Sequence, residues 1–150
     1  MRIRAIIVLG MGIALAGAAV AAVDAKQAIP QRQAHMKEMG RLSKAINDGL
    51  RAGSQGATFK SEANRLAALA AGLPKWFPAG TGSETGVKTA AKPDIWVKRA
   101  DFGSKASALA VATRGLAGAA RGGDQSAFEQ QVRQVGEACK ACHTDYKTKS

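Results

Sequence analysis

Apolar side chains recur every three or four residues along four stretches of this chain, the spacing of helices that share a core. The first stretch runs from Asp24 to Leu50, with Met36, Met39, Ile46 and Leu50 on one face and Arg32 one turn before Met36. Ser43 interrupts that seam, and Gly53 and Gly56 end the stretch. The second spans Thr58 to Ala71, where Phe59, Ala63, Leu66, Ala70 and Leu73 fall at intervals of 4, 3, 4 and 3 before Gly72 and Pro74 stop it. The third is expected to start after Pro93, with Asp94 near its N-terminus, and to continue through Ile95, Phe102, Ala106, Leu109, Leu116 and Ala120 to Gly122 and Gly123. The fourth starts at Asp124, a good N-cap, and repeats at Phe128, Val132, Val135, Cys139, Cys142 and Tyr146.

Between the second and third stretches, Leu73 to Pro93 is rich in Gly and Thr and carries Pro74, Pro78 and Pro93. It has neither a helical period nor the alternation of a strand. A connection this long crosses one end of a bundle, with Trp76 and Phe77 as its anchors to the core. No strand pair and no internal repeat is evident. The expected fold class is therefore all-α: an antiparallel four-helix bundle with a long loop between helices two and three.

The N-terminus follows a different pattern. Met1-Arg2-Ile3-Arg4 is basic, Ala5 to Val20 is apolar, and small residues follow at Ala21 and Ala22. This is the order of a secretory signal peptide, with cleavage expected after Ala22 and with Ala21 or Ala25 as alternatives. The apolar run is short and only mildly apolar for a membrane span. Residues 1–22 are thus read as a leader and residues 23–150 as one domain, exported to the periplasm of a Gram-negative bacterium, with no stable membrane span after processing.

Composition changes this picture in two ways. Aromatic residues make up only 5%, so Ala, Leu and Val must do most of the packing, and a bound prosthetic group would add apolar volume. The formal net charge is +11 and stays strongly positive without Arg2 and Arg4. Such a charge steers acidic partners. The basic residues are scattered and the chain is exported, which argues against nucleic acid as the partner.

The chain has 2 cysteines, Cys139 and Cys142. An exported protein would spend a lone pair on a disulfide closing a long loop, and these two close almost none. With His143 they make Cys139-Lys140-Ala141-Cys142-His143, the C-x-x-C-H signature of c-type haem attachment. Residues three apart lie on one helix face, so two thiols can each add across one porphyrin vinyl group. The histidine that follows sits beneath the iron and offers a neutral imidazole nitrogen. A thioredoxin-like thiol–disulfide motif would need a βαβ setting and a helix N-terminus, whereas this pair lies late in the last helix. A zinc site would need a second ligand pair, and the only other histidine is His35. Opposite the iron, helix one offers Met36 and Met39 on its seam, and His35 about 100° away from Met36. Periodicity does not choose between the two methionines, and plain core packing is the alternative for both.

The residues resemble the class II c-type cytochromes, the cytochrome c prime family. The resemblance rests on three segments in order: Arg32-Gln33-Ala34-His35-Met36-Lys37-Glu38-Met39-Gly40, similar to the family's R-x-x-x-[M/L/F]-K-x-x-G; Trp76 to Gly80 followed by Ala91 to Trp96; and C-x-x-C-H continued by Thr144-Asp145-Tyr146-Lys147. It covers nearly the whole mature chain. It implies one covalently bound haem c, thioethers at Cys139 and Cys142, and His143 as the proximal ligand. It also implies that Met36 faces the distal side, where methionine binds iron in the low-spin branch and an apolar residue leaves the site open to small gases. Arg32 is the implied partner of a haem propionate. Gly40 would let the haem approach the backbone, Lys37 and Lys140 would border its edge, and Lys147 would act on the imidazole or cap the helix. The expected function is periplasmic electron transfer with redox protein partners that present acidic docking patches. Nitric oxide or carbon monoxide binding is the alternative, and thiol oxidoreduction without haem is a third reading. The family also implies a homodimer through the first two helices, where Ala63, Ala67 and Ala70 would permit close contact. No substrate pocket or acid–base pair can be read, so no enzyme activity is expected.

Overall fold

The computed structural model describes residues 24–149. The leader proposed for residues 1–22 lies outside them. Within them the chain forms α1 (Ala25–Arg51), α2 (Lys60–Gly72), a one-turn α3 (Asp94–Val97), α4 (Arg99–Gly122) and α5 (Gln125–Tyr146). The four long helices are those expected from periodicity, joined in the expected order as an all-α bundle.

Local chemistry sets most of the boundaries. The Asp24 carboxylate accepts from the Lys26 N–H at 2.9 Å and caps α1. Gly53, with φ 84°, takes the left-handed turn that ends it. The Asp124 carboxylate accepts from the Ala127 N–H at 2.9 Å and starts α5, one residue after Gly123 closes α4 at φ 76°. Before α2 the chain makes a short 3₁₀ turn, Gly56–Phe59.

The third stretch differs from expectation: it is broken at Lys98, whose φ and ψ are −102° and 48°. The break has a physical cause on either side. The Trp96 indole N–H donates to the Pro78 carbonyl at 2.8 Å, and Arg99 Nη1 donates to the Phe77 carbonyl at 2.9 Å. Both flanks of the bend are thus fastened to the long loop. That loop also contains two 3₁₀ turns, Leu73–Trp76 and Ser83–Thr85, which its irregular sequence does not suggest.

α4 is the spine of the bundle. It lies along both α2 and α5, whereas α1 lies along α2 and scarcely approaches α5. Ile46, Leu66, Leu116 and Phe128 are completely enclosed, each contributing about 1.5–3 kcal/mol through burial. Ala63 and Ala70 of α2 are buried in this same core, so they serve packing within the chain. At the lower end the Phe59 and Phe128 rings stack with centroids 6.1 Å apart. Two glycines make room for them: a Cβ on Gly49 would come within 2.2 Å of the Phe59 ring, and one on Gly56 within 2.4 Å of Phe128.

At the opposite end the last residues of the long loop run across the end of α5. Ala91 and Lys147 form an antiparallel bridge, with the Lys92 N–H donating to the Tyr146 carbonyl at 3.0 Å and the Thr148 N–H to the Ala90 carbonyl at 2.9 Å. The Gln33 side chain of α1 donates to the Lys88 carbonyl at 2.9 Å. This strap therefore joins α1 to α5, which otherwise hardly meet. Tyr146 anchors its far end: the ring meets Phe102 edge-on at 5.3 Å, and the phenol donates to the Asp101 carboxylate. That bond, with burial and the negative charge of Asp101 behind it, pushes the phenol up to about 12.

Gly56→Ala should destabilise the fold by about 1–3 kcal/mol, because Phe128 is fully enclosed and cannot yield. Gly118→Ala, where a Cβ meets nothing within 4 Å, should be neutral or stabilising by up to about 1 kcal/mol; paired thermal melts check both. Tyr146 is the single tyrosine, so ultraviolet titration reads it directly, and its midpoint should stand near 12. Because the unfolded phenol titrates near about 10, the stability this group contributes is intact below that pH and is lost as the pH climbs through the folded value. Asp101→Asn should bring the midpoint back towards the ordinary value.

Candidate functional site

Cys139, Cys142 and His143 occupy one turn near the C-terminal end of α5. Their seam is continuous with Val135 and Tyr146, both buried, so the cysteines are drawn against the core and are themselves half-buried. Both thiols are free. Burial pushes the Cys139 thiol above its ordinary pKa, and burial together with Cys139 does the same for Cys142. His143 is exposed. Partial desolvation, with Lys147 one turn further on, lowers its imidazole below the usual range. The sign suits a metal ligand, which must be neutral. Lys147 also ends the helix, its N–H donating to the His143 carbonyl at 3.1 Å. Among the described residues no further His, Cys, Asp or Glu gathers with these into a metal-holding group, so the zinc alternative finds no additional ligands.

On α1, burial separates the residues that periodicity left equivalent. Met39 is enclosed in the core, 6% exposed, whereas Met36 is half-buried and only leans on that core. His35 stacks on the Trp76 ring with centroids 4.5 Å apart and 25° between the planes, so its side chain is engaged with the loop. Lys37 is exposed on α1. Lys140 lines a shallow open groove with Lys105, Glu137, Ala141, Thr144 and Asp145, on the side of α5 that faces α4.

Arg32, one turn before Met36, is 3% exposed. Its Nη2 donates to the Thr81 carbonyl at 2.9 Å and to the Thr89 hydroxyl at 3.0 Å. Its Nη1 donates to the Thr81 hydroxyl at 3.2 Å and, at 3.5 Å, to the Trp76 carbonyl. The guanidinium also lies over the Phe77 ring at 4.8 Å and nearer its limit over Trp96, at 5.9 Å. All four acceptors are neutral. Burial accordingly lowers its pKa, partly offset by the charge of Glu84. Within the chain, then, Arg32 holds the long loop to α1. Thr81, fully buried, and Thr89 were not apparent as site residues in the sequence. The available signal was chemical: a core-facing arginine opposite a threonine-rich loop needs neutral acceptors.

Arg32→Met should remove this clamp at a cost of about 2–4 kcal/mol, since several buried acceptors lose their donor together. Arg32→Lys should rescue it only in part, because an ammonium cannot reproduce the planar fork. Hydrogen exchange should then quicken at residues 81–89 before it quickens in α4.

Comparison with known proteins places this geometry. A family model described as Cytochrome C' matches residues 27–147. Cytochrome c' of Rhodopseudomonas palustris is 34% identical over 155 aligned positions, covering 99% of each chain. The crystal structure of cytochrome c' from Thermochromatium tepidum superposes with a TM-score of 0.78 at 32% identity, over 85% of this chain and 98% of that one. A nitric oxide complex of a mutant cytochrome c prime from Alcaligenes xylosoxidans superposes with a TM-score of 0.76 at 26% identity, over 85% and 98%. These likenesses reach the family and not its low-spin branch. The four-helix bundle, the C-x-x-C-H turn on its last helix and the matching relatives along nearly the whole described chain together mean that this protein belongs to the cytochrome c' family.

Proposed function

We propose that the protein is a periplasmic monohaem cytochrome whose iron, held on one side by His143, binds a small diatomic gas such as nitric oxide or carbon monoxide on the side facing Met36. Haem c is the covalently attached group of this family. The residues present fit it. Two free thiols stand three residues apart on one helical face, half-buried, and suit two thioethers. The imidazole beside them is biased towards its neutral form. Arg32 carries a buried positive charge whose hydrogen bonds go only to neutral oxygens, with Glu84 as a nearby negative charge, and a haem propionate would add a further countercharge. Bound haem supplies an iron that changes redox state and accepts a small ligand.

The observation that carries the gas-binding reading is the position of Met36. It is half-buried, unbranched, and on a long helix that scarcely approaches α5. A flexible thioether there covers the distal side and can swing aside. The nitric oxide complex of the Alcaligenes xylosoxidans relative supports the same reading. Electron transfer with Met36 as sixth ligand is the second reading, favoured by the fact that Met36 is only partly buried whereas Met39 is enclosed in the core. Export is supported by the leader read at residues 1–22. No helix among the described residues is long and apolar enough to cross a membrane. The reading assigns no catalytic turnover. A homodimer through α1 and α2 fits the family, with half-buried Ala67 as the one small residue of the α2 trio left near the surface.

The test is spectroscopic. Reduced wild-type protein should be high-spin, its Soret band should shift on adding carbon monoxide, and Met36→Leu should keep the spin state while changing carbon monoxide affinity by about tenfold or less. A low-spin reduced spectrum that ignores carbon monoxide until Met36 is replaced would instead establish the sixth-ligand reading. His143→Ala should abolish reversible voltammetry, and Cys139→Ser with Cys142→Ser should leave haem that acid–acetone extracts.

A further inference from the structure

We infer that the lysines along the strap and the end of α5 form a docking surface for an acidic redox protein that delivers one electron to the haem. This rests on the haem being carried by α5, and it holds whichever ligand takes the sixth position. The strap gathers the charges. Its antiparallel bridge sets Ala91 against Lys147, which brings Lys88 and Lys92 on one segment beside Lys147 and Lys149 on the other. Gln33 ties Lys88 to α1, where Lys37 follows one turn later. The Lys92 ammonium donates to the Thr144 carbonyl, one residue beyond His143. Lys37, Lys88, Lys147 and Lys149 are exposed.

The nearby acids are already engaged. Asp94 pairs with Lys98 at 3.0 Å, and Asp145 pairs with Lys105 at 2.9 Å. Asp101 accepts from the Tyr146 phenol, and the Glu84 carboxylate accepts from the Gly82 N–H at 2.8 Å. Among the described residues none of Lys37, Lys88, Lys92, Lys147 and Lys149 has a carboxylate within ion-pair distance. Five lysines without a carboxylate partner thus gather at the end of the helix that carries the C-x-x-C-H turn, where Asp101 and Glu84, bonded to neutral donors, keep their charge. A positive rim beside a redox centre speeds encounter with a negative surface and orients it.

The chemistry of the surface favours a protein over other anionic partners. The cations are lysines, hydrated point charges suited to brief encounters, and not the bidentate arginines that grip phosphate. Among the described residues the exposed large apolar side chains are Val97 and Val111, so the strap offers no aromatic or leucine anchors for a lipid surface. It likewise offers no stacking platform for bases. The transfer itself balances simply: the partner loses one electron and ferric iron becomes ferrous, with no bond made to the protein.

The experiment uses the haem-loaded protein and reduced flavodoxin, an acidic one-electron donor, in stopped flow at low and high salt. Lys88→Glu with Lys149→Glu should slow reduction by about tenfold or more at low salt and flatten the salt dependence. The control is Lys60→Glu with Arg133→Glu, which changes net charge equally at sites remote from the strap; it should slow reduction less than about twofold by the same reasoning. Spectra and dithionite reduction should be unchanged in both variants. Equal slowing in the two, or none in the strap variant, overturns the proposal. So does a strap variant with wild-type flavodoxin rates that no longer sediments with phosphatidylglycerol vesicles, since the surface would then serve lipid. A colourless product defeats the haem reading itself, whereas a coloured product with unaltered rates defeats the docking surface alone.

Discussion

A guanidinium ion enters a protein interior only if every donor finds an oxygen and the lost hydration is offset. Arg32 meets that condition at its two terminal nitrogens through the long loop: the Thr81 carbonyl and hydroxyl, the Thr89 hydroxyl and the Trp76 carbonyl receive their hydrogens, and Phe77 and Trp96 receive its face. The loop cannot leave without stranding a buried cation, and so it stays. Everything at the upper end of the bundle then follows. Pro78 and Phe77, held in place, draw the chain around Lys98 into α4, and the strap of residues 88–92 reaches the end of α5. The helix that bears Cys139, Cys142 and His143 and the helix that bears Met36 are thereby tied together at one end by a segment that contributes none of those four side chains.

Much of this was legible in the sequence because a helix in a bundle repeats its apolar residues on a known period. The seam through Phe128, Val135, Cys139, Cys142 and Tyr146 is found in the structure, and so are the caps at Asp24 and Asp124. The attachment turn was legible for a different reason: C-x-x-C-H is dictated by porphyrin chemistry and owes little to context. What escaped the sequence lies in the long loop. Its hydrogen bonds join residues 44 to 57 positions apart in the chain, from Arg32 and Gln33 to the segment between Trp76 and Thr89. No local period records such contacts. The same is true of the bend at Lys98, where Ile95 and Phe102 keep helical spacing although the backbone between them does not. Arg32 illustrates the limit well. Its conspicuous place in the α1 motif suggested a ligand of the haem's acid groups, and its hydrogen bonds reveal a second task inside the chain.

The choice between the two methionines rests on another non-local quantity. Met36 and Met39 lie on one seam, three residues apart, and differ only in what surrounds them. Met39 is surrounded by the core formed with α2, and Met36 leans over its edge. Burial of this kind depends on the angle at which α1 meets α2, which no pattern within α1 contains.

The arrangement of α4 has a mechanical consequence. A bundle in which one helix is bonded along its length to two neighbours, while the remaining wall is attached along one side and at one end, does not have uniform stiffness. Compliance concentrates along the line where α1 and α5 face each other. A change in the volume between them would tilt α1 about its seam with α2 more readily than it would shift α5 on α4. Displacement beside Met36 would thus be felt on the outer face of α1, far from the C-x-x-C-H turn.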